Sequence, residues 1–213
     1  MSRLWTGALA CAALLLVAAA CARSVEDEAE PEGNESSAPD EALAEDLRGG
    51  GYVIYFLHAA TEPGGVNGVE ALGDREAQRN LSGEGRTQSE TIGEAFRELD
   101  IPVGEVISSP YYRNMDTAEI AFGRADEAEE LLGLLSVEGE EERNREFLAD
   151  RLSTPPGAGT NAVLVSHTSN LEEVDGVTLE EGEAAVYEPL GDGRFELRAR
   201  LMPDDWSDLS GAS

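Results

Sequence analysis

The sequence predicts an α/β protein, a three-layer α/β/α sandwich with a mostly parallel central sheet. Two observations indicate this architecture. The apolar segment at residues 52–57 has the composition of a strand that is buried on both faces, and residues 105–108 and 162–166 are typical of a second and a third strand. Segments with helical spacing lie between them, and strands that alternate with helices are typical of parallel sheets covered on both sides.

The first 21 residues have the pattern of a secretory signal peptide. Arg3 precedes an uncharged apolar stretch at residues 4–20, and three alanines lead into Cys21. This end resembles a bacterial lipobox, in which Cys21 would carry the lipid, although Ala18 replaces the usual leucine. Ordinary signal cleavage and an uncleaved membrane anchor are the alternatives. We expect an exported protein of the cell envelope that touches the membrane only through a lipid anchor on Cys21.

Charge and composition divide the rest of the chain. Residues 22–48 are rich in Glu, Asp, Pro and Ser and poor in large apolar residues, which predicts a disordered linker. We expect the folded domain at residues 49–203 and a C-terminal tail at residues 204–213. The net charge is −29 and all 15 basic residues are arginine, so no basic stripe suited to nucleic acid is present. A local arginine cluster could still hold a small anion.

Within the domain, each element is predicted from its local pattern. The strand at 52–57 is followed by a glycine-rich loop at 64–79, and loops of this length are uncommon unless they are functional. Ser82 is a good cap for a helix, whose apolar positions repeat with helical spacing up to residue 99. The remaining predictions are helices at 111–122, 126–135 and 140–152, and strands at 105–108, 162–166, 183–189 and 195–201, the last two near a sheet edge.

Both histidines of the chain follow predicted strands, His58 after the first strand and His167 after the third. Ligands of open α/β sheets bind beyond the carboxyl ends of the strands. Arg113 follows the second strand at the start of a predicted helix, where the helix N-terminus and the guanidinium both favour phosphate or carboxylate. These three side chains therefore predict an anion site. The alternative is that the histidines are buried structural residues.

Four segments occur in order along the domain: FLHAATE, QRNLSGEGRTQSETIGEAFRELDIPVGEVISSPYYR, DTAEIAFG and AVLVSHTSNL. Together they resemble the histidine phosphatase superfamily, whose fold is phosphoglycerate-mutase-like, over residues 50–189. The small bacterial members look most similar. The resemblance implies that His58 is the nucleophile that becomes phosphohistidine, that Arg113 grips the phosphate, and that His167 bonds the phosphate oxygens in the transition state. It implies neither a metal nor another cofactor.

Imidazole chemistry agrees with these implied roles. A histidine with an ordinary pKa of about 6.5 is mostly neutral at pH 7, so its ring can act as a nucleophile. An arginine and a second histidine can then stabilise the charge on the phosphoryl oxygens.

Leu57 departs from the pattern of the superfamily, which has an arginine directly before the nucleophilic histidine. That arginine is one of the groups that hold the phosphate, so its loss would slow or abolish turnover. Arg79 and Arg86 are the nearest replacements by position, and we expect Arg86 to face the surface. Asn80, beside Arg79, is a further candidate for binding phosphate.

The proton donor to the leaving group stays open at this point. Glu62, close after His58, is one candidate, and Glu138 and Glu183 are the others. The sequence therefore predicts a hydrolase of small phosphomonoesters, with a small phosphorylated substrate or inorganic phosphate as its ligand. The alternative is a catalytically inactive relative that binds an anion or a protein partner in the cell envelope.

Overall fold

The computed structural model describes residues 37–134 and 139–209. The strands are β1 (Val53–Leu57), β2 (Val103–Ser108), β3 (Asp126–Glu127), β4 (Asn161–Ser166), β5 (Ala184–Gly191) and β6 (Arg194–Leu201). The helices are α1 (Ser37–Gly49), α2 (Gly83–Glu98), α3 (Tyr112–Phe122), α4 (Glu141–Ser153), α5 (Thr168–Asp175) and α6 (Asp205–Asp208). Short 3-10 turns lie at Val69–Ala71 and Glu129–Leu131.

One six-stranded sheet organises the fold, with the strand order β3-β2-β4-β1-β5-β6. The first four strands in this order are parallel to one another, whereas β5 runs antiparallel to β1 and β6 antiparallel to β5. Helices α1, α2, α3 and α6 share an apolar cluster with one face of the sheet, and α4 and α5 share a second cluster with the other face. The predicted three-layer sandwich with a mostly parallel sheet is therefore confirmed.

Strand β1 shows why its sequence is apolar at every position. Ile54 and Phe56 belong to the cluster on the side of α2, while Val53, Tyr55 and Leu57 belong to the cluster on the side of α4. Successive side chains of a strand point to opposite faces, and both faces are covered here. Leu57 is consequently a core residue, with 6% of its surface exposed.

The helix predicted at 126–135 is wrong. This segment contains the short strand β3, which pairs with β2, and a 3-10 turn. The hydroxyl of Ser166 donates to the carbonyl oxygen of Leu131 at 2.7 Å, and the amide of Asn170 donates to that of Leu132 at 3.1 Å. Contacts with β2, β4 and α5 therefore override the local helical pattern here.

The predicted linker ends earlier than residue 48, because residues 37–49 form α1. Ala44 and Leu47 of this helix are buried in the core. The side-chain amide of Asn161 donates to the carbonyl oxygen of Leu47 at 2.7 Å, and its oxygen accepts from the amide of Tyr52 at 3.1 Å. These contacts fix α1 to the start of the sheet, so α1 is part of the folded domain.

The predicted C-terminal tail at 204–213 is also wrong in its first half. Residues 205–208 form α6, in which Trp206 is fully buried, and Leu209 is 2% exposed. The indole of Trp206 stacks on Phe56 with ring centroids 5.9 Å apart, so this segment completes the core.

Several predictions fall outside the described residues. They are the signal peptide with Cys21, the linker up to residue 36, Glu138 and residues 210–213. Within residues 37–134 and 139–209, no helix is long and apolar enough to span a bilayer.

Candidate active site

The candidate site lies where three neighbouring strands end. His58 follows β1, His167 follows β4 and Ser109 follows β2, and these strands are hydrogen-bonded neighbours. The rings of the two histidines therefore come close, with centroids 5.8 Å apart. Two arginines join them, and the four side chains that form the histidine pocket are His58, Arg79, Arg113 and His167.

The loop after β1 fixes the position of His58. The hydroxyl of Thr117 accepts from the amide of Ala59 at 3.0 Å, and the first turn of α2 packs directly on Ala60. Residue 85 must be glycine for this packing, since a Cβ there would lie 1.9 Å from the carbonyl oxygen of Ala60. The ring Nδ1 of His58 is 3.0 Å from the carbonyl oxygen of Ala59. Nδ1 therefore carries the hydrogen, and Nε2 keeps a lone pair.

Arg113 enters the pocket from the first turn of α3 and is only 3% exposed. Its guanidinium carbon lies 4.3 Å from the centre of the Tyr111 ring, and its Nη2 is 3.4 Å from Nδ1 of His167. A guanidinium can only donate, so Nδ1 of His167 carries a lone pair. Nε2 of His167 then carries the hydrogen and donates to the hydroxyl oxygen of Ser109 at 3.0 Å.

Arg79 reaches the pocket from the end of the long loop before α2. Its Nη2 is 3.4 Å from Nε2 of His58, and its Nη1 is 3.5 Å from Oε1 of Glu181. Glu181 is itself held by Thr61, whose hydroxyl donates to Oε1 at 2.8 Å and whose amide donates to Oε2 at 3.2 Å. The same Oε1 lies 3.9 Å from Nδ1 of His58.

Burial keeps both imidazoles of the pocket neutral. It lowers the pKa of His58 to about 3, with a further lowering by the charges of Arg113 and Arg79. Burial also lowers the pKa of His167 well below its ordinary value, and Arg113 acts in the same direction. The pKa of Arg113 falls to about 10 through burial and the nearby Arg79, so this guanidinium still carries its charge at pH 7. The pocket thus combines neutral imidazoles with fixed positive charge.

Some nitrogen atoms of the Arg79 and Arg113 guanidinium groups have no hydrogen-bond partner among the described residues. They are Nε and Nη1 of Arg113 and Nε of Arg79, all of which are buried. Buried charged donors without partners are costly, and most native structures satisfy them with a ligand, an ion or water. A tetrahedral oxyanion beside Nε2 of His58 would supply the missing acceptors.

Solved structures resemble this chain over most of its length. The protein histidine phosphatase SixA, complexed with tungstate, matches with a TM-score of 0.55 at 15% identity, over 72% of this chain and 98% of that one. A mycobacterial glucosyl-3-phosphoglycerate phosphatase matches with a TM-score of 0.51 at 15% identity, over 69% and 96%. The chain has the histidine phosphatase fold. No protein-family model and no curated protein sequence matches it.

Within the histidine phosphatase fold, the structure brings together four of the residues expected at the site: His58, His167, Arg113 and Arg79. Arg86 instead faces the surface, where it pairs with Asp116 at 3.8 Å. Asn80 lies beside the pocket but its amide donates to the carbonyl oxygens of Arg75 and Gln78, so it shapes the loop rather than the pocket.

Two of the three carboxylates expected as proton donors, Glu62 and Glu183, fall within the described residues. Glu62 is exposed. Glu183 is buried but forms two hydrogen bonds with Arg200, at 2.7 and 3.0 Å. The carboxylate that contacts His58 is Glu181, which the sequence analysis did not single out.

Ser109, Tyr111 and Glu181 are the residues at the site that sequence reasoning missed. Ser109 and Tyr111 flank a proline after β2, and their position at a strand end was the available signal. Glu181 had no such signal, because it is one of 44 acidic residues and follows no strand. In the described part of the chain, no three His, Cys, Asp or Glu side chains are grouped so that they could hold a metal ion.

Proposed function

We propose that the protein is a phosphatase that hydrolyses small phosphomonoesters through a phosphohistidine at His58. One observation carries this proposal: Nε2 of a buried, neutral His58 lies 3.4 Å from Arg79, in a pocket where two buried nitrogens of Arg113 have no hydrogen-bond partner in the part of the chain that the structure describes. A nucleophile beside unused cationic donors is the arrangement that phosphoryl transfer requires. The tungstate bound by SixA, on the same fold, supports an oxyanion site.

The reaction has two steps. In the first, the lone pair on Nε2 of His58 forms a bond to phosphorus while the ester P–O bond breaks, and the leaving oxygen keeps the bonding electrons and takes a proton from water. In the second, a water oxygen attacks phosphorus, the P–N bond breaks, and its electrons return to Nε2. The proton of that water passes to the solvent, and inorganic phosphate leaves.

Arg79 and Arg113 act on the charge that the transferring phosphoryl group carries. Nη2 of Arg79 is already next to Nε2 of His58, and Arg113 contacts His167 through Nη2, which leaves its Nε and Nη1 without a partner among the described residues. Each charged hydrogen bond to the transition state contributes about 1.5–3 kcal/mol. Arg79 would therefore take over the part that the arginine before the nucleophile plays in the superfamily, where this chain has Leu57.

Hydrolysis of 4-nitrophenyl phosphate by the purified protein tests the proposal. We expect turnover in the wild type and none in His58→Asn, because the asparagine keeps the bond to Ala59 but lacks the nucleophilic nitrogen. Arg86→Met is the matched control and should retain wild-type activity. Turnover that survives His58→Asn would overturn the proposal.

A second candidate function is favoured by Leu57. It is a core residue, so the pocket has one arginine fewer beside its strand end than the superfamily pattern. A protein that binds an anion or a protein partner without catalysis would not need this additional arginine. Phosphate binding without any hydrolysis, unchanged in His58→Asn, would support this second function over the first.

Export of the protein and its attachment to the membrane through Cys21 are proposals from the sequence alone. The signal-like pattern of residues 1–21 supports them. Labelling of the expressed protein with a fatty-acid probe, lost in Cys21→Ser, would test the attachment.

A further inference from the structure

The carboxylate of Glu181 lies against the two groups that would carry out the proposed transfer. Its Oε1 is 3.9 Å from Nδ1 of His58 and 3.5 Å from Nη1 of Arg79. Thr61 holds both carboxylate oxygens through its hydroxyl and its amide. Glu181 is about one-third exposed and lies in the turn before β5, which brings it beside the loop after β1.

A carboxylate in this position has an electrostatic consequence for phosphoryl transfer. When Nε2 of His58 bonds to phosphorus while Nδ1 keeps its hydrogen, the ring becomes positively charged. Burial opposes a charged ring, as the lowered pKa of His58 indicates, and Arg113 and Arg79 oppose it further. Glu181 is the negative group in contact with the ring, so it offsets part of this cost.

The same carboxylate also orients Arg79. This guanidinium comes from a loop rather than from the strand that carries His58, and its Nη1 is paired with Glu181 while its Nη2 faces Nε2. The pairing leaves one edge of the guanidinium turned toward the nucleophile. Without it, a long side chain that is partly exposed would sample other orientations.

We propose that Glu181 is a positioning residue for phosphoryl transfer: it stabilises the imidazolium that His58 becomes on bonding to phosphorus, and it holds Arg79 beside Nε2. This inference rests on the proposed function. It predicts that Glu181 favours the covalent state more than the bound anion, since its negative charge repels a free phosphate but attracts the charged ring.

The test compares Glu181→Gln with Glu180→Gln, the neighbouring exposed carboxylate, in the otherwise unchanged chain. Orthovanadate bonds to a histidine nitrogen as a mimic of the transition state, whereas inorganic phosphate binds without a bond. We expect Glu181→Gln to weaken vanadate binding about 10-fold or more and to lower kcat about 10- to 100-fold, the range for loss of one charged contact. Phosphate affinity should change much less, because the lost repulsion between the carboxylate and phosphate offsets the looser hold on Arg79. Glu180→Gln should change none of these values.

Each outcome decides between the two proposals. Equal losses of vanadate and phosphate affinity in Glu181→Gln, or an unchanged vanadate affinity, would overturn the role of Glu181. In another outcome, the wild type binds vanadate more tightly than phosphate, loses this preference in Glu181→Gln, and yet hydrolyses no ester. That result would overturn the proposed hydrolysis but not the role of Glu181. A wild type that binds neither anion would overturn both. Urea unfolding midpoints equal to that of the wild type would show that both variants are folded.

Discussion

Nη2 of Arg79 lies 3.4 Å from Nε2 of His58, although a long loop separates the two residues in the chain. A guanidinium thus lies beside His58, the proposed nucleophile, although the residue directly before this histidine is Leu57. We predict that Arg79→Met lowers kcat/KM for an aryl phosphate about 100-fold, because two charged hydrogen bonds to the phosphoryl group are lost.

Arg86→Met is the matched control for this prediction. Arg86 lies on α2, is about half exposed, and is 3.8 Å from the carboxylate of Asp116, which Arg75 already binds at 2.6 and 2.9 Å. Because Asp116 keeps its shorter bonds to Arg75 when Arg86 is replaced, kcat/KM of Arg86→Met should stay within about twofold of the wild type. Similar losses of kcat/KM in the two variants would mean that Arg79 acts through its charge in general rather than through its position beside His58.

Leu57→Arg is expected to destabilise the protein rather than to add a phosphate-binding arginine. The Leu57 side chain lies in the apolar cluster shared with α4 and α5, so a guanidinium there would be buried without a partner. We predict a loss of about 3 kcal/mol in the free energy of unfolding, measured by urea denaturation, and less than about 1.5 kcal/mol for Leu57→Met. A Leu57→Arg protein of wild-type stability and tighter phosphate binding would show that the new side chain reaches the pocket.

The lowered pKa of His58 predicts an acid-sensitive stability. Burial lowers this pKa to about 3, whereas the unfolded chain has the ordinary value of about 6.5. As the pH falls below 6.5, the unfolded state binds a proton that the folded state does not, so the free energy of unfolding decreases. Between pH 7 and pH 5 the wild type should lose about 2 kcal/mol more than His58→Asn. Parallel pH profiles for the two proteins would contradict a buried neutral ring.

Helix α1 is predicted to contribute to stability like any core element. Leu47 is fully buried and its carbonyl oxygen accepts from Asn161. Leu47→Ala should lower the free energy of unfolding by about 3 kcal/mol, and Leu43→Ala, at a partly buried position of the same helix, by clearly less. Equal, small losses of unfolding free energy in the two variants would show that α1 contributes little to the stability of the domain.

The sheet and the position of the two histidines at its edge could be predicted from the sequence, because both depend on local signals. β1 is apolar on both faces, and His58 and His167 stand directly after strands, where ligands of such sheets bind. The linker boundary was missed because α1 is rich in acidic residues and contributes only a few core side chains, such as Leu47. Its helical state therefore depends on tertiary packing, which composition does not reveal.

The same contrast holds within the pocket. Arg113 follows a strand and opens a helix, so its place was predictable, whereas Arg79 reaches His58 only through the course of the loop. Glu181 depends on a turn that is distant in sequence and on its bonds to Thr61. Contacts of this kind are set by loop geometry, for which the sequence offers no periodic signal.

Trapping the phosphorylated protein tests the central claim most directly. The protein is mixed briefly with an aryl phosphate that carries radioactive phosphorus, and the reaction is quenched in alkali. We predict labelled phosphate on His58, held by a bond that acid breaks. The label should be absent from His58→Asn and reduced in Arg79→Met. Hydrolysis without any such label, or a label that persists in His58→Asn, would contradict the account.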